Sequence, residues 1–177
     1  DAQPSLFVCR PADEAGVTER LARSGEAVEV RSLSEDGDGS LLSQLPEAPQ
    51  TEACERSASD LAAILYTSGT TGRSKGAMLS HANLAISAVM LTDAWGWRDD
   101  DVLLHALPIF HVHGLFVALH CALLTGTKMI FHSAFSAEAM VSALPGATVM
   151  MGVPTFYTRM LSVPELTPER CSSMRLF

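Results

Sequence analysis

Lysine is almost missing from this chain. Only Lys75 and Lys128 occur in 177 residues, and the formal net charge is −8. That balance excludes the basic footprint of a nucleic-acid binder. The acidity is uneven: residues 1–60 hold 13 acids against 5 bases, whereas residues 61–177 hold 7 of each. The acidic first third reads as a solvated surface. Long apolar runs are missing too. Leu115–Leu119 and Cys121–Leu124 are too short and too interrupted to span a bilayer, and the start carries no signal-peptide pattern. Neither a nucleic-acid nor a membrane partner is expected, and the expected location is cytoplasmic, a mitochondrial parent being compatible. Cysteine is sparse. Cys9, Cys54, Cys121 and Cys171 form no C-x-x-C pair, and a chain of this size does not need disulfides, so they read as reduced. Fixed-period repeats and low-complexity tracts are absent.

What is present is a globular composition, 47% hydrophobic and 18% charged, long enough for a sizeable core. Strand and helix patterns alternate along its length. Ser5–Cys9 reads as a short buried strand, Ala12–Ser24 as a helix stopped by Gly25, and Ala27–Leu33 as a second strand. Residues 40–59 form a polar, Pro-containing connector. The chain therefore divides into a strand–helix–strand segment with connector, 1–59, and a larger segment, 60–177. In the latter, Leu61–Tyr66 reads as a buried strand, Ala77–Leu79 as a short extended piece, and a helix capped by Ser80 runs to Gly96. Val102–Leu107 is a buried strand, Leu115–Thr125 an apolar helix, and Lys128–His132 a strand. Ser136 caps a helix to Leu144; then come a strand at Ala147–Met151 and a helix at Pro154–Leu161. The alternation predicts an α/β fold with mostly parallel strands. Met174–Phe177 looks like the opening of a further strand, and the chain is expected to be an internal piece of a longer protein.

The densest chemistry lies at Tyr66-Thr67-Ser68-Gly69-Thr70-Thr71-Gly72-Arg73-Ser74-Lys75-Gly76. Glycine lets the backbone approach an anion closely, and successive N–H groups form an anion-binding concavity. Thr67, Ser68, Thr70 and Thr71 add hydroxyls, and Lys75 a point charge. The spacing is not G-x-x-x-x-G-K-[ST], so this is not the common nucleotide loop of ATPases. A flexible Gly/Ser/Thr linker is the plain alternative. Against it stand the preceding strand and the placement of one of only two lysines here.

All six histidines fall between positions 81 and 132. His111 and His113 are two apart, so an extended chain points both to one face. That pattern can ligate zinc, but no adjacent Asp, Glu or Cys completes a shell. A pocket histidine between Pro108 and Gly114 fits better. Arg159 follows the strand end at Gly152-Val153-Pro154 in apolar surroundings, where a guanidinium suits a carboxylate; an exposed surface arginine is the other reading. The segments 67–76, 108–114 and 152–154 all follow strands, and ligands of open α/β sheets bind at the carboxyl ends of strands.

Tyr66–Gly76 resembles the phosphate signature of adenylate-forming enzymes, the group of acyl-CoA synthetases, luciferases and peptide-synthetase adenylation domains. Ser74 stands where that signature usually has proline. Leu107–Gly114 resembles the family's second motif, which lines the acyl pocket, and Met151–Thr155 a third turn. Together they cover residues 60–177 in the expected order. Phe110-His111-Val112-His113-Gly114 and Gly152–Arg159 further resemble the malonyl-CoA synthetase branch. The resemblance implies part of a large N-terminal domain of an ATP-dependent acid–thiol ligase. Such an enzyme activates a small carboxylic acid, here malonate, as an acyl-adenylate and passes it to coenzyme A. Methylmalonate, acetate or a fatty acid are alternative substrates; a kinase-like protein and a non-catalytic phosphate-binding module are alternative functions. The implied cofactors are ATP, Mg²⁺ and coenzyme A. Thr67, Ser68, Gly69, Thr70, Thr71, Gly72, Lys75 and Gly76 would hold the phosphates, with Thr70 near Mg²⁺. Lys75 and His111 are the implied catalytic residues, and His111, His113 and Arg159 would contact the acid. The resemblance also implies that a C-terminal domain is absent and that this piece alone has no synthetase activity.

Overall fold

The computed structural model describes residues 4–44, 52–67 and 75–177. They fall into two compact units, Asp1–Glu55 and Arg56–Phe177. In the first, strand β1 (Leu6–Cys9) pairs in parallel with β2 (Glu29–Ser32), across helix α1 (Glu14–Ser24). Gly25, at φ 76°, ends α1 and returns its N–H to the Ala22 and Leu21 carbonyls, the left-handed cap that favours glycine. The Ser40 hydroxyl donates to the Glu14 carboxylate at 2.7 Å. The expectation that β1 is buried fails: Leu6, Phe7 and Val8 are 42, 41 and 44% exposed. Apolar composition identifies a strand but not what covers it, and a two-stranded sheet covers little.

The second unit opens with a hairpin, β3 (Leu61–Thr67) and β4 (Lys75–Ser80), antiparallel with Thr67 opposite Lys75 and Tyr66 opposite Gly76. This corrects two expectations. The strand ahead of the glycine-rich segment is not buried, with Leu61, Ile64 and Tyr66 between 45 and 47% exposed. Lys75 and Gly76 belong to a strand rather than to the loop, so the extended piece expected at Ala77–Leu79 begins two residues earlier. Ser80 then caps α2 (His81–Ala94) reciprocally: the Asn83 N–H donates to Ser80 Oγ, and the Ser80 N–H to Asn83 Oδ1.

The core belongs to a separate three-stranded parallel sheet, ordered β6 (Lys128–Phe131), β5 (Val102–His105), β7 (Val149–Met150). Parallel strands need crossovers. Here they are a seven-residue π-helix, His113–Leu119, continuing into α3 (His120–Thr125), and then α4 (Ala137–Ala143). The apolar helix expected from Leu115 to Thr125 is thus wound in two ways, which composition does not distinguish. Side chains alternate across the sheet. Leu104 and Met150 pack with Met140, Val141 and Leu144 on one face. Leu103 and Val149 pack with Ala118, Cys121 and Trp97 on the other. Helix α5 (Pro154–Met160) follows β7 with Pro in its first turn. The closing segment adds a parallel bridge, Val149 to Leu176, where the opening of a strand was expected.

Asp101 ties this frame together. Its carboxylate accepts from Thr148 Oγ1 at 2.7 Å, from the Arg98 N–H at 2.8 Å and from the Arg175 guanidinium. Burial pushes the carboxyl upward, but Arg175, Thr148 and the Arg98 N–H together outweigh it and hold it below its ordinary value. A depressed folded-state pKa contributes stability that is full above the unfolded carboxylate value of about 3.9 and fades as pH falls through the folded value. Arg175→Leu leaves Asp101 buried without its cation and is expected to cost about 3 kcal/mol in urea unfolding at neutral pH. Asp101→Asn should flatten the acid limb of the stability–pH curve below about pH 4.

Candidate functional site

Pro108 ends the run that leaves β5 and begins a tight reversal. The His111 N–H donates to the Pro108 carbonyl at 3.2 Å, and the Leu115 N–H to the His111 carbonyl at 3.0 Å. Gly114 closes this turn. A Cβ there would stand 2.3 Å from the Pro108 oxygen, so no larger residue fits. Gly114→Ala is expected to destabilise the fold by about 1–3 kcal/mol, read as a lowered Tm. Residues 111–113 are therefore not extended, as the H-x-H reading supposed: Val112 is already helical, at φ −48° and ψ −47°. The two imidazoles still meet one cavity, because the turn and the first helical residues wrap around it.

That cavity, about 410 Å³, lies where the β5 and β7 ends come together, with Leu107, Pro108, His111 and His113 on one side and Val153 and Phe156 on the other. His113 also lines a second cavity of about 220 Å³, with Trp95, Gly152, Tyr157 and Phe177. Gly152 permits the close packing of Tyr157 and Phe156, whose atoms would lie 3.2–3.3 Å from a Cβ at that position. Burial pushes the Tyr157 phenol upward, and the Gly152 backbone opposes the shift. Beneath the site, at the end of β5, His105 is fully buried, and neither ring nitrogen has a hydrogen-bond partner among the described residues. Burial is the main cause holding its pKa below the ordinary histidine value, and His113 adds to the shift. The His105 ring packs on Phe131 at 5.0 Å between ring centroids.

The structure thus brings together His111, His113 and the Val153–Phe156 turn. Arg159 is exposed on α5 and lies outside the lining of both cavities. Its guanidinium sits 4.9 Å over the Phe135 ring, which stacks on Phe156 at 3.8 Å and 14°. Lys75 is exposed at the start of β4, and Thr67 Oγ1 donates to the Lys75 carbonyl at 3.4 Å. Ser68, Gly69, Thr70, Thr71 and Gly72 lie outside the described residues. No group of three or more His, Cys, Asp or Glu converges as a metal site among the described residues. Phe135, Phe156, Tyr157 and His105 were not singled out from sequence. The signal for Phe156 and Tyr157 was their place just past a strand end.

Comparison with known proteins places this arrangement. The family described as AMP-binding enzyme matches residues 1–177. The chain belongs to the AMP-binding enzyme family. Within that family, MatB from Rhodopseudomonas palustris in its apo form superposes with TM-score 0.90 at 49% identity, covering 100% of this chain and 35% of that one. A malonyl-CoA ligase in a ternary product complex with methylmalonyl-CoA and AMP superposes with TM-score 0.66 at 36% identity, covering 92% of this chain and 33% of that one. The mitochondrial malonate–CoA ligase of Mus musculus is 45% identical over 105 residues, which is 56% of this chain and 18% of that protein. The chain therefore spans about a third of the MatB and malonyl-CoA ligase structures it matches and 18% of the mouse ligase. The α/β architecture, parallel apart from the β3–β4 hairpin, is that of MatB-like enzymes of the family.

Proposed function

We propose that the full-length protein is an ATP-dependent acid–thiol ligase that activates malonate as an acyl-adenylate and transfers it to coenzyme A. The observation that carries this reading is the cavity between the two strand ends, with His111 and His113 on one wall and Phe156 on the other, set beside a likeness to MatB that extends over the whole chain. An apolar pocket accepts an acyl group but rejects a second carboxylate unless a cation meets it, because an unpaired buried charge is costly. Arg159, one turn of α5 beyond Phe156, is the cation assigned to that carboxylate. His111 lines the junction of acyl group and phosphate.

The two steps follow from this placement. The substrate carboxylate attacks the α-phosphorus of ATP and pyrophosphate leaves; the thiol of coenzyme A then attacks the mixed anhydride and AMP leaves. Segment 67–76 is assigned to the β- and γ-phosphates, with Lys75 offsetting their charge. Catalysis of this kind rests on positioning and electrostatics. Mg²⁺ would accompany the phosphates of ATP and offset part of their charge, with Thr70 the residue assigned to lie near it. Methylmalonate is the second substrate this reading allows, supported by the methylmalonyl-CoA complex of the related ligase. A cytoplasmic or mitochondrial location of the parent goes with the same reading, the mouse relative being mitochondrial. Pyrophosphate exchange driven by malonate in the full-length protein tests it.

A further inference from the structure

The Arg159 guanidinium makes no hydrogen bond or ion pair with the described residues, yet it is not loose. Its Cζ lies over the Phe135 ring, 4.9 Å from the centroid. Phe135 is half-buried, packed against the core cluster of Met140 and Leu144, and stacked on Phe156. Phe156 in turn lines the cavity between the strand ends. A contiguous stack therefore runs from that cavity wall to the arginine. Cation–π contact holds a guanidinium by its face and leaves its edge donors free, and those edge donors are what a carboxylate takes up in bidentate fashion. The neighbouring acid does not compete for them. Glu138, in the first turn of α4, is held below the usual carboxylate range chiefly by its own backbone N–H and by the Ser136 hydroxyl, which donates at 2.8 Å; Arg159 adds a smaller field. No ion pair joins Glu138 and Arg159 among the described residues.

We infer that Phe135 is a positioning residue for substrate selection: stacked on Phe156, it seats the Arg159 guanidinium beside the acyl cavity with its donors free for the distal carboxylate of a dicarboxylic acid. This rests on the assignment of Arg159 to that carboxylate. It adds that a residue from a different crossover, between β6 and α4, sets the arginine's orientation and so the preference for dicarboxylates over monocarboxylates of the same length. The contribution is modest by nature. Losing one cation–π contact at a partly exposed site corresponds to roughly a fivefold change.

The test uses the full-length protein, with malonate and acetate as paired substrates. Phe135→Leu is expected to raise the KM for malonate about fivefold and to leave kcat and the acetate KM unchanged. Phe135→Tyr, which keeps the ring face, should behave like the parent. A polyfluorinated phenylalanine at position 135 keeps the shape while weakening the ring's negative face, so it should reproduce the Phe135→Leu effect even if that variant folds poorly. In an Arg159→Leu background the Phe135 changes should have no further effect on malonate. Equal loss for malonate and acetate, or a fluorinated variant indistinguishable from the parent, overturns the inference. If Arg159→Leu alone is selective for malonate in that case, the functional reading stands without it. If Arg159→Leu is not selective, the assignment of Arg159 to the distal carboxylate fails and takes the inference with it, while the ligase reading is decided separately by malonate-dependent pyrophosphate exchange.

Discussion

Lys75→Ala in the full-length protein is expected to lower malonate-dependent pyrophosphate exchange by about 10²–10³-fold, the usual loss when one preorganised charge facing a reacting group is removed. The fold should be unaffected, because Lys75 is exposed at the first position of β4. Its backbone still pairs with Thr67 across the hairpin, so alanine keeps the strand ends in register. The magnitude follows from scarcity. Lys75 is one of two lysines in the chain, and Lys128 opens β6 in a different sheet, so no second lysine stands in the segment to substitute. The measurement is exchange of labelled pyrophosphate into ATP, with circular dichroism as the control for folding. Near-parental exchange would mean that Lys75 is a surface residue and that segment 67–76 holds phosphate by backbone and hydroxyls alone.

The second large effect is one of selectivity. Arg159→Leu should lower kcat/KM for malonate and methylmalonate by about 10–100-fold, since a hydrogen bond to a charged group contributes about 1.5–3 kcal/mol and each 1.4 kcal/mol is tenfold. Acetate and octanoate have no distal carboxylate, and their rates should stay within about threefold of the parent. Leucine keeps the aliphatic bulk of the stem, so the contact with Phe135 changes in charge more than in volume. Equal loss across all four acids would assign Arg159 to structure. It would also return the residue to the bland reading its sequence context allowed, an exposed arginine on a helix.

Most elements were legible from pattern and caps. Ser80, Gly25 and Ser136 each marked a helix boundary that the structure keeps, because a capping side chain or a left-handed glycine acts locally. The strands β5, β6 and β7 were visible as short apolar runs between turns. Burial was not legible. β1, β3 and β5 are similarly apolar, yet only β5 has packed helices on both sides and a strand on each edge. Pairing direction was missed for the same reason. The short extended piece at Ala77–Leu79 carries no signal of its partner, and as β4 it pairs antiparallel with β3.

The site was partly legible. His111 and His113 were found from spacing, but for a geometric reason that does not hold: they share a cavity through a turn closed by Gly114, not through strand alternation. Arg159 was singled out from its place after a strand end, and the structure puts it outside the lining of both cavities. Phe135 carried no signal, because its stack with Phe156 joins positions twenty-one apart in sequence. His105 likewise looked like one more residue of a buried strand, and only its buried ring nitrogens, without a hydrogen-bond partner among the described residues, set it apart.

The most direct test of the central claim is pyrophosphate exchange in the full-length protein with malonate, methylmalonate, acetate and octanoate offered separately. Exchange strongest with malonate, with AMP rather than ADP as the nucleotide product once coenzyme A is added, is the predicted result. Exchange with acetate or octanoate but not with malonate, or release of ADP, would contradict it.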